Sequence, residues 1–157
     1  DYDERKETID AILNLFNGNS KFLYSEPGIF SIDITDFGYK FNIEIKRAGS
    51  QGIGHMKIFS YDLTITQRLT TELPNSKISL IHDSTLFDGV DERQISKALE
   101  LAQKESTEKK FQYICLLNSD TVPYKDFSKG FGEVFKKSIV QTFSDSTEDG
   151  GLLGVRF

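Results

Sequence analysis

The chain has 157 residues, with 19 Lys and Arg against 24 Asp and Glu for a net charge of −5. That length suits one domain with a core of its own, and the acidic balance supplies no overall field that would draw the chain to nucleic acid or an anionic membrane, although a local basic patch stays open. One Cys and two His leave no disulfide framework and no zinc constellation. No apolar run approaches a membrane span and no signal peptide leads the chain, so a cytoplasmic protein is expected. Met56 is the single Met and the chain opens on Asp1. The expectation is therefore a piece cut from a longer protein.

Residues 3–16 read as a helix, because Ile9, Ile12, Leu13 and Phe16 recur at helical spacing with charge opposite. Asn17-Gly18-Asn19 should stop it. Three runs, KFLY, IFSIDIT and YKFNIEIKR, then alternate apolar and polar residues and are broken by SEPG and DFG. They predict an antiparallel meander with one wet face. A Gly/Ser loop over residues 48–54 precedes a helix over 54–71, whose stripe is Met56, Phe59 and Leu63.

KISLIHD reads as a short buried strand. Asp91 followed by Gln94 is a capping-box pattern that opens a helix from 92 to about 109, with Ile95, Ala98, Leu99 and Ala102 inward. FQYICLLN is a second buried strand, holding Cys115 as a small hydrophobe. Strand, helix and strand make a βαβ unit, hence a parallel pair. The end of the chain predicts a hairpin around DSTEDGG. The fold class is therefore α/β.

Ligands of parallel sheets sit beyond the carboxyl ends of the strands, and Asp83 and Asn118 occupy those ends. A carboxylate there can hold Mg²⁺ beside a phosphate. The Gly/Ser loop before a helix is a candidate anion cradle, to which Ser50 adds a hydroxyl. Each residue also has a plain structural reading. Asp83 is a turn former, Asp91 a helix cap, and His82 a packing residue facing away from Asp83. His55 lies in the first helical turn, and nothing singles out Asp33, Asp36 or Asp120 as ligands.

The order of these pieces resembles the C-terminal lobe of an ABC-type ATPase head of the SMC and DNA-repair kind. The segments GSQGIGHMKIFSYDL, LIHDSTLFDGVDERQ, FQYICLLNSD and GGLLGVRF resemble more closely the bacterial family called domain of unknown function 2326, or DUF2326. The resemblance implies a P-loop NTPase-type lobe over 19–157, preceded at 1–18 by the returning end of a coiled coil. It implies that Ser50, Gln51, Gly52 and Gly54 stand in for the signature loop that reaches the γ-phosphate of ATP on the other subunit. Asp83 takes the Walker B place on the Mg²⁺ side, Gly89 and Asp91 belong to the D-loop at the dimer interface, and Asn118 takes the place of the switch His.

This sequence departs from the pattern in five ways. Ser84 stands where such ATPases carry the catalytic Glu, Asn118 replaces a His, the loop from Asp83 to Asp91 is one residue longer, the signature loop is not the common Leu-Ser-Gly-Gly form, and no Walker A sequence occurs. The implied partners are an N-terminal Walker A lobe of the same protein, a second head across an ATP sandwich, and DNA or a component of a repair or defence system. ATP and Mg²⁺ would bind only the complete head. Two alternatives remain open: an interaction module with degenerate ATPase motifs, and a small Mg²⁺-dependent hydrolase or nuclease built on Asp83.

Overall fold

The computed structural model describes residues 5–45, 51–144, 146–147 and 150–151, without the side chains of Ile34 and Gln51. Two compact units divide at Asp126. The first is a mixed α/β unit holding α1 (Lys6–Tyr24), β1 (Ile29–Thr35), β2 (Gly38–Glu44), α2 (Gln51–Glu72), β3 (Ser79–His82), α3 (Glu92–Lys109) and β4 (Gln112–Cys115). β1 and β2 pair antiparallel; β3 and β4 pair parallel, with Ile81 opposite Ile114 and His82 opposite Cys115. The predicted βαβ unit is therefore present, with α3 as its crossover.

Three helices form the core. The inner faces meet through Phe16 and Leu23 of α1, Met56, Phe59 and Leu63 of α2, and Ile95, Ala98, Leu99 and Ala102 of α3, all buried. The stripes expected of α2 and α3 are thus the ones that pack. Phe30 of β1 joins this core, its ring 5.3 Å from Phe16 and 6.0 Å from Tyr61. That contact seats the hairpin on α1 and α2.

The chain does not break at Asn17-Gly18-Asn19. α1 runs through these residues to Tyr24, and KFLY is helix, not strand. Tertiary contacts override the local signal. Asn19 is buried and its side-chain amide donates to Thr64 Oγ1 and to Gln67 Oε1, both at 2.9 Å. Gln67 donates onward to Glu105 Oε2 at 2.7 Å. This chain of bonds links α1, α2 and α3 and holds Asn19 in place, with its polar groups satisfied as burial requires. Helix α1 stops later, at Ser25, which is left-handed with φ 63°. The meander is consequently a two-stranded hairpin.

Two other expectations change. Helix α2 starts at Gln51, so Gly52 and Gly54 lie in its first turn instead of in a loop; the residues just before, 46–50, lie outside the described ones. The capping box at α3 is only half made. Asp91 caps Arg93 N–H at 3.0 Å, but Gln94 Oε1 is buried with no hydrogen-bond partner among the described residues.

The second unit contains α4 (Phe131–Ser138). Phe127, Phe131 and Phe135 stack at centroid distances of 5.0–6.4 Å. The predicted hairpin has no strand among the described residues. Ser144 N–H donates to Gly150 O and Gly150 N–H to Thr147 O, which closes a loop of turn-forming residues. Residues 145, 148–149 and 152–157, which include most of the GGLLGVRF segment, lie outside the described residues.

Candidate functional site

The carboxyl end of β3 opens onto a cleft of about 360 Å³. Helix α2 contributes His55, Ile58 and Asp62 to its wall; β3 and the following turn contribute Ile81, His82, Asp83, Thr85 and Leu86. Positions 55, 58 and 62 share one face of α2 by helical spacing, so this wall was legible in principle, yet Asp62 drew no notice in the sequence.

Asp83 is exposed and caps a short 3-10 turn, Ser84–Phe87. Its Oδ1 accepts from Thr85 N–H at 3.0 Å and from Thr85 Oγ1 at 2.5 Å. These bonds hold the carboxyl below the usual carboxylate range. Asp83 is thus a turn former, as the plainer reading holds. Both of these bonds fall on one oxygen, Oδ1. A carboxylate at this strand end, in a cleft that Asp62 also lines, fits Mg²⁺, which is commonly held by one or two carboxylates plus phosphate and water. Among the described residues no group of three or more His, Cys, Asp or Glu is placed to hold a metal, so the hydrolase alternative has no described ligand cluster.

His82 is a packing residue. It is buried, with its ring 5.5 Å from Phe59 and 5.6 Å from Tyr113. Nε2 lies 3.3 Å from Asp62 Oδ2 and Nδ1 lies 3.1 Å from the Tyr113 hydroxyl. A carboxylate only accepts, so Nε2 carries a proton. Burial raises the Tyr113 pKa well above its usual value, and the retained hydroxyl proton can serve Nδ1. Burial also pushes the Cys115 thiol up to about 11.

The loop 88–91 meets the start of α2. His55 Nδ1 lies 2.9 Å from the Asp88 carbonyl, so it donates there. Gly52 is buried against the chain at Gly89 and Val90: a Cβ on Gly52 would stand 2.4 Å from Gly89 O and 2.8 Å from Val90 Cα. Only glycine fits at that distance. Gly89 has φ +68°, the left-handed region glycine favours. The structure therefore brings two of the predicted glycines, Gly52 and Gly89, distant in sequence, into backbone contact.

Other predicted residues lie elsewhere. Asp91 caps α3 and is bridged by Arg93 at 3.0 Å. Gly54 is exposed and lines a second, apolar groove with Phe41, Ile43, Lys57, Ile58 and Tyr61. Asn118 is exposed and precedes a 3-10 turn, its carbonyl accepting from Thr121 N–H at 3.1 Å. No hydrogen bond or ion pair among the described residues joins it to Asp83. Ser84 opens the turn behind Asp83. Ser50 and the Gln51 side chain lie outside the described residues.

A model of uncharacterised proteins conserved in bacteria, DUF2326, matches residues 19–157. The chain belongs to this family. No curated protein matches the DUF2326 chain. Among solved structures it is similar to the crystal structure of the SmcHead bound to the C-winged helix domain of ScpA. That likeness has a TM-score of 0.54 at 17% identity and covers 75% of this chain but 37% of the other. The DUF2326 chain therefore shares a fold with a part of an SMC head, spanning little more than a third of it. No described helix is long and apolar enough to cross a membrane.

Proposed function

We propose that this chain is the C-terminal lobe of an SMC-like ATPase head that works only with a Walker A lobe of the same protein. The observation that carries the reading is the contact between Gly52 and Gly89. It joins the two segments that the resemblance equates with the signature loop and the D-loop, and both belong at the face where two heads close on ATP. The fold likeness to part of an SMC head supports the same reading.

In this reading Asp83 sits on the Mg²⁺ side, and Ser50, Gln51, Gly52 and Gly54 approach the γ-phosphate held by the other head. Gly89 and Asp91 shape the dimer contact, and Asn118 responds to the phosphate. Bound Mg²⁺-ATP supplies the charge that draws the heads together; the chain's own part is to hold the loop and helix at fixed spacing. The motion then passes to a coiled coil, and through it to DNA or to a protein partner in repair or defence.

The test is ATP-dependent dimerisation of the complete gene product, followed by sedimentation. Dimers that form with ATP and are lost in Asp83→Asn support the reading. A complete gene without a Walker A sequence removes it.

A second reading, an interaction module without turnover, is favoured by Ser84 in the place of the catalytic Glu and by Thr85 engaging Asp83. A solved structure of similar fold is itself a head bound to another protein. Ser84→Glu distinguishes the two: a rise in ATP turnover supports a weakened ATPase, and no change supports the module.

A further inference from the structure

The cleft at the end of β3 is lined by His55, Asp62, His82 and Asp83, each able to take a proton. An ATPase head needs one such group to draw the proton from the attacking water, and Ser84 stands where the Glu for that task is expected. A serine hydroxyl keeps its own proton near neutral pH and cannot serve. Three of the four cleft groups are already committed. His82 is buried, with Nε2 on Asp62 Oδ2 at 3.3 Å and Nδ1 on the Tyr113 hydroxyl at 3.1 Å. Asp62 is thereby the acceptor for His82. Asp83 is held below the usual carboxylate range by its bonds from Thr85, which makes it a weak base, and its place at the strand end suits Mg²⁺.

His55 differs from the other three. Its Nδ1 lies 2.9 Å from the Asp88 carbonyl. A carbonyl only accepts, so the proton is on Nδ1, and the neutral ring carries its lone pair on Nε2. An imidazole with one nitrogen fixed by a backbone carbonyl has its tautomer and orientation set, as a general base requires. The anchor, Asp88, ends the turn that Asp83 begins, so the ring is tied to the loop that carries the Mg²⁺-side carboxylate. His55 is partly buried on the cleft wall that α2 supplies, whereas its neighbour Gly54 opens on the apolar groove. The start of α2 therefore serves two sides, and His55 belongs to the side of Asp83.

We propose that His55 is the general base of this head and takes over the task of the missing Glu. The inference rests on the reading of the chain as one lobe of an ATPase head. A water beside the γ-phosphate gives a proton to Nε2 as its oxygen bonds to phosphorus. The bond from that phosphorus to the β–γ bridging oxygen breaks, and its electron pair leaves with ADP. The imidazolium then releases its proton to solvent, so ATP and water become ADP, phosphate and a proton.

The experiment uses the complete gene product and follows ATP turnover, ATP-dependent dimerisation by sedimentation, and the thermal midpoint. His55→Asn keeps a side-chain N–H that can donate to the Asp88 carbonyl but has no counterpart of Nε2. It should fold and dimerise with ATP as the parent does, yet lose turnover by at least about a hundredfold, so that its ATP dimers outlast those of the parent. His55→Ala should lose turnover equally, and added imidazole, which fits the space left by the ring, should restore it at least about tenfold in His55→Ala and not in His55→Asn. Parent-level turnover in His55→Asn overturns the proposal and leaves the ring as a tie between α2 and the loop. Loss of turnover together with loss of the dimer in His55→Asn overturns it as well, since the ring then acts as a strut. A parent that dimerises with ATP but turns over no faster than His55→Asn has no base at this position: the proposal falls and the head reading stands. A parent that does not dimerise with ATP removes both.

Discussion

The helical seam and the parallel strands treat their apolar residues in opposite ways. Phe16, Leu23, Met56, Phe59 and Leu63 are sealed among α1, α2 and α3, with no exposed surface, whereas Ile81 and Ile114 face outward from β3 and β4. Among the described residues the seam is closed, whereas the outer face of the strands is exposed. Substitutions in the seam should therefore report on folding, and those on the outer strand face on what the chain meets.

The sharpest way to break the contrast is at its centre. Phe59→Ala removes a fully buried ring that also carries His82 and should cost about 3–5 kcal/mol in denaturant unfolding. Gly52→Ala drives a methyl into the backbone at Gly89. It should cost about 1–3 kcal/mol and, in the complete gene product, weaken ATP-dependent dimerisation. Gln67→Ala leaves Glu105 and Asn19 without their shared partner and should cost about 1–3 kcal/mol. Asp91→Ala removes the α3 cap, worth about 1 kcal/mol. Ile114→Lys should fall within about 0.5 kcal/mol in the isolated chain, as exposed positions do. A large loss there would mean the outer face is already covered within these residues.

Alkaline pH probes the same comparison at Cys115 of β4 and Tyr24 of α1. The Cys115 thiol rises from 9.0 to about 11 on burial, and the Tyr24 hydroxyl from 10.0 to about 12. The folded chain holds both protons more tightly than the unfolded chain does. The stability this supplies is whole below pH 9 and is lost as pH climbs through 11 and beyond. A thermal midpoint that is level up to pH 9 and then falls is expected, and Cys115→Ala should delay the onset of the fall. Thiol-directed reagents should reach Cys115 slowly at neutral pH, since little thiolate forms there.

What the sequence disclosed follows from how local each signal is. The stripes of α2 and α3 and the two runs flanking α3 carry their own periodicity, and all four elements are present. Asn17-Gly18-Asn19 misled because the reason Asn19 is helical lies forty-five residues away at Thr64. Helix α4 was not expected: its signal is short, Phe131 and Phe135 one helical turn apart, in a stretch from which no element was drawn. At the site, the residue types and their order gave Asp83, Gly52 and Gly89. The bonds that set the geometry around them, Thr85 to Asp83, His82 to Asp62 and His55 to the Asp88 carbonyl, carry no pattern of their own. They became visible only once α2 lay beside the end of β3.

Helix α2 is 22 residues long, a rod of about 33 Å at 1.5 Å per residue. Its first turn touches Gly89 with no room for a methyl group, and its later turns are bonded to α1 and α3 through Thr64 and Gln67. A joint with no clearance has no lost motion. If the loop at 89–90 shifts by an ångström, the rod must tilt or slide with it, and Asn19 and Glu105 register the displacement near the rod's far end. Backbone contact at one end and a buried polar clasp toward the other make α2 a lever between a loop and a helix bundle.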